Sequence, residues 1–228
     1  MKNLISLLIF ITFIQINYAQ FFTRMECDIS IKEKTDSLDR LVVGKVYYDI
    51  NKKNLVYDLM FPEKEQWIIK DSLIYNIING EKKSVQKIPA INEFSVFHML
   101  LTGSMPDYGL NFKDSPLKQT NVEKDGELII TKWEFIKTPI EGFEGYILTS
   151  KKNKLLNGVV IIGSDGVTIA GKQLFRKYIN AGGLMVPTEI IQITYIDDKE
   201  YTRILTFRNI KINNFADEKN YDYHLPVN

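Results

Sequence analysis

His98 and His224 are the only histidines of this 228-residue chain, and they lie far apart in sequence. Acid–base catalysis and metal binding both need such groups in clusters with further ligands or partners. His98 stands beside Leu101 and Met105 in an apolar run, where a packed imidazole, or one at the edge of a lid, is its natural role. Cys27 is the only cysteine, so no intrachain disulfide can form. It alternates with Ile29 and Ile31, which reads as a buried strand thiol. Gly163-Ser164-Asp165-Gly166 has the composition of a site but falls between two strands and reads as a hairpin turn. There is no G-x-S-x-G elbow and no phosphate-binding glycine loop. Asp49, Asp58 and Glu134 could meet in three dimensions, but a solvated strand face is their default setting. The sequence therefore offers no catalytic residues, no metal ligands and no cofactor site, and reads as a non-enzyme.

The element around which such a chain must be organised is Asn92 to Met105, NEFSVFHMLLTGSM, its one convincing helix. Phe94, Val96, Phe97, Met99, Leu100 and Leu101 place apolar groups almost all the way round, so most of its circumference must be buried. Asn92 is the expected N-cap. Gly103 is placed to close the helix in a left-handed conformation, and Pro106 prevents a restart. A helix of about three turns is marginal alone in water and forms only when packed. It reads as a plug or lid over a curved sheet, or as an ordinary core helix; periodicity does not separate the two.

The rest reads as strands. Apolar alternation marks 22–34, 41–50, 55–61, 66–70 and 72–78 before the helix, with a short run at 84–88. In 55–61 it puts Leu55, Tyr57, Leu59 and Phe61 on one side. After the helix come 117–123, 127–136, 145–150, 154–162, 167–180, 184–196 and 201–212. Ile129, Thr131, Trp133 and Phe135 share a face. Asn79-Gly80, Asp125-Gly126 and Asp165-Gly166 mark tight turns. The polar tail, with Tyr221 and Tyr223, suits a last short strand. Short turns imply an antiparallel meander of about ten or eleven strands, which curls into a half-open barrel. Pro187 inside a long strand points to an edge or a bulge. No linker divides 20–228, which reads as a single β domain.

Residues 1–19 read as a cleavable secretory signal. Lys2 supplies the positive start, Leu4 to Ile16 the apolar core, and Ala19–Gln20 the cut. Cys27 follows Arg24-Met25-Glu26, not a small-residue box, so no lipid anchor is expected. Without Lys2, 28 basic residues face 28 acidic ones, and the lysines are scattered. A nucleic-acid partner needs a basic footprint and is not expected.

The stretch GKVYYDINKKNLVYDLMFPEKEQWIIKDSLIYNI resembles the LolA-type family of periplasmic lipoprotein carriers, with its relatives LolB and RseB. The resemblance rests on Gly44, Val46, Tyr47, Leu55, Tyr57, Pro62, Trp67, Ile69 and Tyr75, on the helix that follows, and on the closing Tyr221-Asp222-Tyr223-His224-Leu225-Pro226. Two features depart from the family pattern. Only Gln20 to Arg24 precede the first strand, where the family has an amphipathic helix, and Lys52 and Lys53 stand where the family has an arginine that holds its lid.

The resemblance implies a single curved sheet with a short helix covering its concave face. It further implies a soluble, monomeric periplasmic carrier that holds acyl chains of lipids or lipoproteins and shuttles them toward the outer membrane. An inner-membrane releasing transporter and an outer-membrane acceptor are the implied partners. Greasy contacts to such chains would come from Tyr57, Leu59, Phe61, Trp67, Ile69, Trp133 and Phe135 of the sheet and Phe94, Phe97 and Leu101 of the helix. Plain core packing, the commoner role of aromatics at alternating spacing, is the first reading of any single one of them. The other reading is an envelope interaction or sensor module on the same fold, with its cavity filled and its sheet edges pairing with a partner strand.

Overall fold

The computed structural model describes residues 21–35, 39–70, 73–87, 95–136, 145–196 and 199–221. The leader, Asn92, Phe94 and the closing segment after Tyr221 lie outside them. All thirteen strands form one open, curved antiparallel sheet. They are β1 (Arg24–Lys34), β2 (Asp39–Asp49), β3 (Asn54–Phe61), β4 (Glu65–Lys70), β5 (Leu73–Ile78), β6 (Glu81–Lys87), β7 (Leu117–Asp125), β8 (Leu128–Phe135), β9 (Tyr146–Lys152), β10 (Leu155–Ile162), β11 (Ile169–Ala181), β12 (Leu184–Ile196) and β13 (Lys199–Ile212). The count exceeds the ten or eleven expected. The edge strand β6, read from the sequence only as a short run at 84–88, is polar and almost wholly exposed, because an edge strand needs no apolar alternation to pair.

The strand order is β6-β5-β4-β3-β2-β1-β13-β12-β11-β10-β9-β8-β7. The first six strands meander from the centre to one edge, and the last seven return from the opposite edge to the centre. The β6–β7 connection must therefore cross the whole sheet. It carries helix α1 (Val96–Thr102) and a 3-10 turn (Met105–Asp107). Their buried side chains pack on one face, hereafter the inner face.

The helix is shorter than expected. Its N-cap is Ser95, whose hydroxyl accepts from the His98 N–H at 3.1 Å, and not Asn92. Gly103 closes it with φ 72°, as the sequence implied. A second helical turn, α2 (Glu218–Tyr221), follows β13, and the rest of the tail, where a last strand was expected, lies outside the described residues.

Pro187 sits in an interior strand, but pairing of β12 with β13 runs only from Glu189 to Ile196. Its missing N–H therefore falls in a stretch paired on the β11 side alone. Asn79 and Gly80 both take positive φ, the geometry of a tight hairpin.

Candidate binding face

The inner face is an apolar floor. Met25, Cys27, Ile29 and Ile31 of β1, Val42, Val46 and Tyr48 of β2, and Phe207 of β13 are buried in one cluster with Phe97, Met99, Leu100 and Leu101 of α1. Phe97 seats the helix through two ring contacts. Its ring lies 5.5 Å from Phe207, edge to face, and 6.5 Å from Tyr48. At the rim of this contact the Tyr48 hydroxyl and His98 Nδ1 are hydrogen-bonded at 2.8 Å. Burial pushes the Tyr48 phenol above its usual range, so it stays protonated.

The expected site residues divide. Leu59, Ile69, Phe97 and Leu101 are buried on the inner face, and Tyr57 and Trp67 pack beside them, half-buried, with rings 6.1 Å apart. Trp133 belongs to a satellite cluster with Leu110 and Leu117, toward the β7 edge, where Phe135 packs beside it. Trp133 Nε1 donates to Thr149 at 3.0 Å.

Phe61 does not join Leu59. The β2–β3 register shifts between Val43 and Gly44, so Gly44 faces Leu59 while Val43 faces Phe61. The extra residue, Met60, turns Phe61 to the outer face, where it is 51% exposed. Gly44 permits this bulge, because a Cβ there would lie 2.3 Å from the Asp58 carbonyl oxygen.

The outer face carries a clamp that residue types alone did not reveal. The Arg24 guanidinium is buried between Phe215 and Tyr221, 4.9 and 4.8 Å from their ring centroids. It donates through Nε to Asp49 at 2.6 Å and through both terminal nitrogens to Glu218 at 2.5 and 2.8 Å. Lys52 Nζ reaches the same Glu218 at 2.7 Å, so this turn lysine ties down α2 on the outer face. The bonds from Arg24, then Lys52, hold the Glu218 carboxyl down at about 2. Tyr221 closes the clamp. Its hydroxyl donates to Glu26 at 2.9 Å and its ring packs on Tyr47. Only the fold brings Arg24 and Glu218 together from opposite ends of the chain.

The carboxylates singled out in the sequence are dispersed. Asp49 serves Arg24, Asp58 accepts from Gln66, and Glu134 pairs with Lys132 at the surface. Gly163 to Gly166 forms the β10–β11 turn, in which Asp165 accepts from the Thr168 N–H at 2.8 Å. Among the described residues no group of three His, Cys, Asp or Glu side chains is arranged to hold a metal. None of the described helices is long and apolar enough to cross a membrane.

Comparison with solved structures agrees with this architecture. The chain resembles a LolA superfamily protein from Nitrosomonas europaea at TM-score 0.57 and 12% identity, covering 88% of this chain and 90% of that one. It resembles a DUF1329 family protein from Desulfovibrio piger at TM-score 0.59 and 10% identity, covering 89% and 90%. A domain described as an outer membrane lipoprotein-sorting protein from Vibrio parahaemolyticus gives 0.58 and 9%, covering 88% and 89%. No family model matches the sequence, and no curated protein matches it. The fold is LolA-like.

Proposed function

We propose that the protein is a non-enzymatic carrier that binds acyl chains of lipids or lipoproteins between the inner face and the crossover segment. The observation that carries this reading is the seating of α1. A seven-residue helix has little stability of its own. It is held on the sheet by Phe97, Met99, Leu100 and Leu101 and tethered at its rim by the His98–Tyr48 bond. Burying four such side chains contributes about 6–12 kcal/mol. An acyl chain burying about ten methylenes in their place gains about 8 kcal/mol. Exchange of helix for ligand is therefore close to balanced, which is what loading and release require.

In this reading Leu59, Ile69, Tyr57 and Trp67 line the chain's path, Phe97 and Leu101 yield to it, and Trp133 and Phe135 extend it toward β7. The exported chain, freed of its leader at Ala19–Gln20, works as a soluble monomer in the periplasm. It takes cargo from an inner-membrane transporter and delivers it to an outer-membrane acceptor. The fold likeness supports this. The interdigitation of Phe97 with Phe207 and Tyr48 also suits the alternative, a permanently filled interaction module. Native mass spectrometry of mature protein, with extraction of bound lipid, separates them: acyl lipid near one per chain supports the carrier, and a mass that added lipopeptide does not shift supports the module.

A further inference from the structure

The inner face is not apolar to its end. Beyond Ile31, Val42 and Leu205, the strands place a polar register row across it. Arg40 stands opposite Glu33, Glu33 opposite Arg203, Arg203 opposite Gln192, and Gln192 opposite Gln173. Residues directly opposite one another share a face. Glu65, opposite the inward Leu59, extends the row toward β4.

Charges along it alternate, and the contacts of Arg40 are long. Arg40 lies 3.9 Å from Glu65 and 4.0 Å from Glu33, and Arg203 Nε lies 3.2 Å from Glu33. The Arg203 Nε–H is nevertheless buried without a hydrogen-bond acceptor among the described residues. An unmet donor of this kind is costly to leave. The Arg203 charge also reaches the inner wall. Burial pushes the Tyr57 phenol up to about 12, and the Arg203 charge pulls it the other way.

We propose that this row is a head-group site for a zwitterionic diacyl phospholipid whose chains lie on the apolar floor. Arg203, with the Gln192 amide, would take the phosphate and ester oxygens, and Glu33 and Glu65 would take the ammonium group. The two arginines and two glutamates leave the row without net charge. A bare anion would meet Glu33 beside Arg203, whereas a zwitterion finds a partner for each of its charges. The inference rests on the carrier reading and adds the class of ligand to it.

The test uses the mature chain and three soluble probes: dioctanoyl phosphatidylethanolamine, dioctanoyl phosphatidylglycerol and the headless dye N-phenyl-1-naphthylamine. The wild type is expected to bind all three and to prefer the zwitterion over the anionic lipid. Replacing Arg203 by methionine should weaken both lipids about tenfold, the worth of one charged hydrogen bond, and leave the dye unchanged. Glu33→Gln should abolish the preference for the zwitterion. Lipid affinities unmoved in both variants, or lipid and dye weakened together in both, would overturn the head-group site while the carrier reading stands. Failure of the wild type to bind any probe would remove the carrier reading and this inference with it.

Discussion

The Tyr48 hydroxyl of β2 meets His98 Nδ1 of α1 at 2.8 Å, from a tyrosine that is completely buried. It tethers α1 to the sheet beside the apolar contacts of Phe97, Met99, Leu100 and Leu101. Tyr48→Phe should cost about 1 kcal/mol in urea unfolding, the net worth of a hydrogen bond. Because the loss falls on the helix, Tyr48→Phe should also speed uptake of an apolar dye. An unchanged uptake rate would mean that the helix is held by packing alone.

Gly44 is fixed by close approach and not by flexibility. A methyl group there meets the backbone of Asp58 and Leu59 at 2.3 and 2.7 Å, and backbone cannot rotate away. Gly44→Ala should destabilise by about 1–3 kcal/mol, the range for overpacking, in equilibrium urea unfolding. A neutral result would show that the β2–β3 bulge shifts at no cost.

Much of this fold was legible because alternation and turn chemistry agree along the chain. The Gly103 stop, the Asn79–Gly80 hairpin and the burial of Cys27 followed from local rules. Phe61 did not, since strict alternation carries through a bulge that only the Gly44 register reveals. Ser95 displaced Asn92 as the cap because N-cap preference allows both and packing chooses. The Arg24–Glu218 clamp and the Arg203 row depend on pairings between distant strands, and no residue type announces them.

Cys27 should resist alkylation. It is 3% exposed, and burial pushes its thiol well above the ordinary range, with Asp28 and Glu26 adding to the effect. At pH 8 a maleimide should label the folded chain only at the rate of unfolding, and label it fully in urea. Rapid labelling of native protein would contradict the buried β1 strand.

The tail clamp should release in acid. Glu218 has its folded pKa depressed from 4.5 to about 2. Its contribution is therefore complete above pH 4.5 and disappears as pH falls through 2. Hydrogen exchange at 213–221 should rise across that window, and Glu218→Gln should show the raised exchange already at pH 7. Equal protection in wild type and variant at neutral pH would dismiss the clamp.

The central claim is that the inner face exchanges α1 for an acyl chain. The most direct measurement is native mass spectrometry of purified wild type and Phe97→Asp chains, each then offered a synthetic lipopeptide. The carrier account expects about one acyl ligand per wild-type chain, and its loss when aspartate puts a charge where Phe97 meets Phe207 and Tyr48. A ligand-free wild type that the lipopeptide does not shift would contradict the account and leave α1 as a permanent part of the core.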